Sequence, residues 1–332
     1  MVKTSKRIII SISALFFVVI LFFIITFYSI KNTRFSFKVD DFIYVPIGAT
    51  LDDVLNSLET KFDLDISYKV KVYTKFNALD SSIKPGEHAL KDVVSIPSLL
   101  AELTQSLSND IVIQIIEGER VFDIAGQLAS NKDLKQFDSL EFVNLCKDKD
   151  FISSLAGNLG FYEVDNLEGF LFPDTYRVNP SYNESDLIKI FIGNFLDKIK
   201  PYAHSIKSES IDTIMIIASI IEAETEVDSE MPIISSVYYN RIKINMPLQA
   251  DPTISYSTDK PMRPSDKDLE DPYNTYTTKL QLPPTPINSP GLAAIKASIY
   301  PDETDYLYMF SSKDKMTHQF SKTYEEHKRT YQ

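Results

Sequence analysis

Ile8 to Ile30 is a run of 23 residues without a charge, and it constrains this chain more than any other feature. Its polar members are Ser11, Ser13, Thr26 and Ser29, beside Tyr28. As a helix at ~1.5 Å per residue it is about 35 Å long, enough to cross a bilayer core with some tilt. A cleaved leader is the competing reading. A leader's apolar core is usually about 7–15 residues and is followed by small residues at the cleavage site. This run is longer and ends in Phe27-Tyr28-Ser29-Ile30-Lys31, without Ala-x-Ala. The sequence therefore predicts a retained, single-pass membrane anchor over residues 8–30.

Charge sets its direction. No Asp or Glu occurs before Asp40, Lys3, Lys6 and Arg7 precede the run, and Lys31 and Arg34 follow it. By the positive-inside rule, residues 1–7 are a cytoplasmic tail and the rest lies on the extracytoplasmic side of the membrane. The full chain carries 34 Lys+Arg against 46 Asp+Glu, a net charge of −12; without the three leading bases, 31 remain against 46. That acidic body argues against a nucleic-acid partner, because phosphate contacts need clustered Lys and Arg. The lone Cys146 excludes an intrachain disulfide and a Cys-based zinc site. It reads as a small buried hydrophobe.

Outside the anchor the chain repeats itself weakly at an offset of 70. Ile43-Tyr44-Val45 precedes Gly48, then Leu51, Asp53, Val54, Leu55 and Leu58. Ile113-Gln114-Ile115 precedes Gly118, then Val121, Asp123, Ile124, Ala125 and Leu128. Each copy reads as a short strand, a Gly turn and a helix with apolar residues at i, i+3, i+4 and i+7. Thr50 with Asp53 forms a capping pair. Val70, Val72 and Phe76 suggest a strand between the copies, and Ile96 to Leu107 a helix with Pro97 in its first turn. Such units look like LysM modules, which hold N-acetylglucosamine-containing glycans; a generic βα unit is the alternative.

From about residue 131 the pattern changes. Helical periodicity covers Leu140–Leu155 and Leu187–Ile199, and a strongly apolar helix covers Ile211–Ala223. Nine prolines fall among the 44 residues from Pro247 to Pro290, so no long regular element runs through them. Their apolar content suits an ordered loop walling a groove. Ala293–Tyr300 reads as a helix, Tyr306–Phe310 as a strand and Tyr324–Thr330 as a closing helix. The fold class is α+β: the transmembrane helix, a LysM-like α/β subdomain over 31–130, and a mixed helical and β domain with the long Pro-rich groove loop over 131–332.

Several chemistries are absent. There is no G-x-G-x-x-G, no Walker loop and no G-x-S-x-G elbow, and His88, His204, His318 and His327 lack zinc-hydrolase spacing. No metal or cofactor is expected. The notable feature is Ile214 to Ile221, an apolar run leading straight into Glu222. Ser219 and Ala218, at i−3 and i−4, leave room over its face. A carboxyl in an apolar pocket has a raised pKa, because desolvation disfavours the anion. A general acid for glycosidic cleavage needs that property near neutral pH. A helix-end Glu paired with Lys or Arg is the alternative.

At this point the sequence resembles a known family, the YceG-like (MltG) endolytic murein transglycosylases. The matching residues are Glu168-Gly169-x-Leu171-Phe172-Pro173-Asp174-Thr175-Tyr176, Ala218-Ser219-Ile220-Ile221-Glu222-x-Glu224-Thr225 and Tyr239-Asn240-Arg241. They continue with Met246-Pro247-Leu248-Gln249-x-Asp251-Pro252-Thr253, Tyr273-Asn274-Thr275-Tyr276, Leu282-Pro283-Pro284, Pro290-Gly291, His318-x-Phe320 and Glu326-His327. Colinear matches run from about Asp40 to the end. Two departures stand out: Gln281 where the family shows Gly, and Pro284-Thr285-Pro286 where it shows Pro-Pro-Gly-Pro.

The resemblance implies an inner-membrane enzyme that cuts peptidoglycan within glycan strands and terminates their elongation. It implies Glu222 as the catalytic acid and base, with 1,6-anhydro-N-acetylmuramic ends as product. Ser219, Glu226, Asn240, Gln249, Asp251, Thr253, Tyr273 and Asn274 are candidate substrate-binding residues. Asn240, Gln249, Asp251, Thr253, Tyr273 and Asn274 each have a loop-stabilising role as the alternative. Of the acids after Glu222, only Glu226, at i+4, would share its helical face. Partners implied are glycan strands and cell-wall synthesis complexes. The rival functions are a hydrolytic muramidase and a non-enzymatic glycan-binding scaffold.

Overall fold

Two positions seventy residues apart carry the same local device. Gly48 and Gly118 have φ of 81° and 83°, a left-handed turn that glycine adopts without Cβ strain. Each turn leads a short strand into a capped helix. At the first, Thr50 and Asp53 exchange side-chain and backbone hydrogen bonds as a capping box, a device worth about 1 kcal/mol. At the second, Asp123 takes Asp53's place and accepts from the Arg120 amide at 3.2 Å.

The computed structural model describes residues 2–77, 83–105, 110–134, 137–159, 161–206, 210–277, 282–312 and 317–330, with side chains of 2–15, 76, 77, 158, 159 and 330 outside the description. The chain divides into two compact units, Met1–Asp110 and Ile111–Gln332.

The first unit begins with helix α1 (Val2–Lys31). From Phe16 to Ile25 its large apolar side chains are exposed. Among the described residues, no helix is long and apolar enough to cross a membrane. After α1 come β1 (Phe42–Val45), α2 (Leu51–Phe62), α3 (Ser67–Asn77), β2 (Gly86–Ala89) and α4 (Ile96–Thr104). β1 and β2 pair antiparallel, Phe42 opposite Ala89 and Val45 opposite Gly86. The core is built from Val54, Leu55 and Leu58 of α2, Val70 of α3 and Ile96, Leu99, Leu100 and Leu103 of α4.

The strand expected at Val70, Val72 and Phe76 is a helix. Alternation of Lys and Val suggested a period of two. Ile66, Val70 and Thr74 are the buried positions, spaced by four, which is helical spacing. The second repeat copy, expected within the LysM-like region ending at 130, falls in the second unit. Its strand β3 (Ile111–Ile115) pairs with β4 (Asp174–Val178), Ile113 opposite Tyr176, far along the chain.

In the second unit α5 (Val121–Ser130) follows β3, then α6 (Ser139–Leu145) and α7 (Lys149–Leu159), where one pattern over 140–155 was expected. After β4 come α8 (Glu184–Ile199), the short α9 (Ala203–Ile206), α10 (Ile211–Glu224), α11 (Met231–Lys243) and α12 (Asp251–Thr258). The unit closes with α13 (Leu292–Ile299), the hairpin β5 (Tyr308–Ser311) and β6 (His318–Ser321), and α14 (Tyr324–Thr330). Helix α10 is apolar on nearly every side, with Ile211 and all of Ile214–Ile221 buried. Such a helix belongs in a core, and α13 and α11 pack on it. The proline-rich stretch is an ordered wall: it contains α12 and a 3-10 turn, Pro264–Asp268, and Tyr256 packs on Tyr273 with ring centroids 4.9 Å apart.

Candidate active site

Glu222 is the first residue of α10 past the buried run, so a rigid core element delivers its carboxyl to the surface. Ser219, one turn earlier, is fully buried. Its Oγ accepts from the Ile287 amide at 3.0 Å, and its carbonyl accepts from Asn288 Nδ2 at 2.9 Å. These bonds pin the loop before α13 against α10. That loop then places the Gly291 amide 2.9 Å from Glu222 Oε2, which accepts its hydrogen bond.

Glu222 is half-buried. Burial pushes its carboxyl above the ordinary carboxylate range, the Gly291 N–H pulls it down, and the charges of Glu117 and Asp228 push it up. The group is thus biased toward its proton and keeps one oxygen on a fixed donor. Nothing pairs it with a Lys or Arg among the described residues.

Glu224 is placed differently. Its Oε1 accepts from Tyr238 of α11 at 2.9 Å, and burial raises its pKa. It lines two clefts. One, about 520 Å³, also takes in Gly118, Ala223, Tyr256 and Asn288. The other, about 530 Å³, is walled by Arg241, Gln249, Tyr276, Tyr308 and His318 among others. Asp251 lines both.

The sequence-based candidates separate. Gln249 and Asp251 are exposed at the clefts, and Asp251 Oδ1 accepts from the Tyr276 hydroxyl at 2.5 Å. Tyr273 lies in a neighbouring cleft with Glu168 and Tyr256, its hydroxyl 2.8 Å from Thr285 Oγ1. Ser219, Thr253 and Asn274 are buried in backbone hydrogen bonds: Thr253 to the Ala250 carbonyl, Asn274 to those of Lys267 and Leu269. Asn240 holds the Thr304 and Tyr306 carbonyls. Glu226, expected on the helical face of Glu222, does not share it, because α10 ends at Glu224 with Thr225 as cap; its side chain is exposed. Gln281 lies outside the described residues.

Two acids escaped the sequence reading. Glu117 sits in the β3–α5 turn, against Gly291. Its only signal is the repeat, where Ile47 in the first copy becomes Glu117 in the second. Glu168 was quoted only as part of a motif. It is buried, accepting from the Val121 amide at 2.9 Å and from the Tyr256 hydroxyl at 3.1 Å. Burial pushes its carboxyl up to about 7, against those hydrogen bonds and the Arg120 charge.

A folded pKa raised from 4.5 to about 7 contributes stability that is complete below the unfolded value and lost as pH rises through the folded one. Glu168→Gln is neutral at every pH, so its melting temperature should fall less between those two values than the wild type's. The difference corresponds to at most about 3 kcal/mol. Melting curves followed by circular dichroism across that window check it, and parallel slopes would contradict the assignment.

The YceG-like family model matches residues 43–332. The chain is 31% identical over 299 residues to an endolytic murein transglycosylase of Bacillus subtilis, over 86% of this chain and 82% of that one. It is 28% identical to an endolytic murein transglycosylase of Streptococcus pneumoniae, over 86% of this chain but 56% of that longer protein. A crystal structure of a YceG-like protein from Listeria monocytogenes matches with a TM-score of 0.59 and 25% identity, over 87% of this chain and 98% of that one. With the family match extending from the first strand to the last residue, this chain belongs to the YceG-like family.

Proposed function

We infer that the chain is an endolytic murein transglycosylase, a lyase that cuts the β-1,4 bond between N-acetylmuramic acid and N-acetylglucosamine within peptidoglycan strands. The observation that carries this reading is Glu222, half-buried at the end of an apolar helix and held by one backbone N–H, in a chain 31% identical to a protein of that name. Protonated Glu222 gives its proton to the glycosidic oxygen as the bond from C1 breaks. The resulting carboxylate takes a proton from the muramic C6 hydroxyl as that oxygen bonds to C1. Glu222 ends protonated, no water is consumed, and the product carries a 1,6-anhydro end.

Gln249, Asp251 and Tyr273, with polar groups at the clefts, would hold sugar hydroxyls and N-acetyl groups. Ser219, Thr253, Asn240 and Asn274 support the walls. The β1–α2–α3–β2 unit would hold glycan in the manner of a LysM module. Its pattern of two helices between paired antiparallel strands supports that role. Residues 8–30 would anchor the enzyme in the inner membrane with 1–7 in the cytoplasm. The charge-free run and the exposed apolar side chains from Phe16 to Ile25 support this. There it would end glycan elongation beside cell-wall synthesis complexes.

Digestion of purified long glycan strands tests the reading. Internal cutting should shorten the strands to a broad range of lengths early in the reaction. Release of single disaccharides from the ends, or no cleavage, would contradict it.

A further inference from the structure

The turn between β3 and α5 is fixed to the loop that carries Gly291. The Gly118 amide donates to the Ser289 carbonyl at 2.9 Å, and the Ser289 amide donates to the Glu119 carbonyl at 2.8 Å. Glu119 also closes the turn itself, its Oε2 accepting from the Ile116 amide at 2.9 Å. Glu117, between these fixed residues, is exposed. It projects onto Gly291: a Cβ built on that glycine would collide with the carboxyl end of Glu117. Gly291 has φ −71°, open to any residue, so close approach is what favours glycine there. The same glycine donates its N–H to Glu222. One residue therefore carries a carboxylate on each side.

We propose that Glu117 is a positioning residue for the reaction of Glu222, a second carboxylate brought to the same glycine by the turn of the repeated strand–helix unit. It acts through Glu222 rather than on substrate. Its negative charge opposes ionisation of the general acid, in concert with Asp228 from the α10–α11 link. The repeat fits this role. The first copy has Ile47 at the equivalent position and lies in the unit without Glu222. The proposal rests on the transglycosylase reading for its kinetic consequences.

The test follows strand cleavage by the full-length chain in detergent from about pH 4 to 9, where carboxylates with raised values titrate. Glu117→Gln should move the alkaline limb of the profile down by about half to one pH unit, because removing a like charge makes Glu222 the stronger acid. Activity on the acid side should stay close to wild type. Glu117→Asp, which keeps the charge, should shift the limb less. Gly291→Ala pushes the Glu117 carboxyl away and should move the limb the same way; combined with Glu117→Gln it should add little further shift.

A limb in the wild-type place in Glu117→Gln, or an equal loss at every pH, would overturn the proposal. If the wild type fails to cleave, it is the transglycosylase reading that fails. The proposal is then still decided by carbon NMR of the Glu222 carboxylate. Its titration should move down in Glu117→Gln, and an unmoved titration would refute the role.

Discussion

Glu222→Gln is expected to abolish strand cleavage and to leave folding and glycan binding intact. Glutamine keeps the size of the side chain, and its amide oxygen still accepts from the Gly291 N–H. What it loses is the proton given to the leaving oxygen and the carboxylate that takes one back. General acid–base help is typically worth ~10²–10⁴-fold, and a mechanism with no water route uses it in both steps. Glu224→Gln is the matched control, since glutamine can still accept from the Tyr238 hydroxyl. Its rate should fall far less. Initial rates on purified strands, with thermal melting for folding, decide between them. A dead Glu224→Gln with normal melting and an active Glu222→Gln would move the assignment two residues along the helix.

The second large effect is on stability. Arg241 is buried at 5% exposure. Its Nε donates to the Leu307 carbonyl at 2.7 Å and its Nη1 to the Leu248 carbonyl. It thereby joins α11 to the approach of β5 and to the start of the proline-rich wall. Arg241→Met fills similar volume with no donor, so two carbonyls lose a charged partner. A buried group left unsatisfied costs about 1–3 kcal/mol, so the loss should be on the order of 2–4 kcal/mol. At roughly 2–4 °C per kcal/mol for a unit of this size, melting should drop by roughly 5–15 °C. A drop of under about 2 °C would mean that water or a neighbour replaces the guanidinium.

Local devices were legible in the sequence and long-range ones were not. The offset-70 repeat, the Thr50–Asp53 cap and the buried character of Ile214–Ile221 each follow from residues within one or two turns, and the structure has all three. The α3 segment misled because its Lys and Val alternate while its packing positions recur every four residues; tertiary burial decided the outcome. The second repeat copy looks like the first, yet its strand pairs with the distant β4 and it lies in the other unit. Glu222 was found because its environment is written in the preceding helix. The contacts of Gly291 and Glu117 with that site are not written there, because they form only between loops of distant segments. Glu226 shares the helical face of Glu222 only if α10 runs two residues further than it does, past the Thr225 cap.

The most direct test of the mechanism is the fate of C1 of the muramic residue. Strands digested in heavy-oxygen water and analysed by mass should end in 1,6-anhydro-N-acetylmuramic acid. They should carry no label with the wild type and should not form with Glu222→Gln. Reducing ends carrying the heavy oxygen would show water as the nucleophile and make the protein a hydrolytic muramidase.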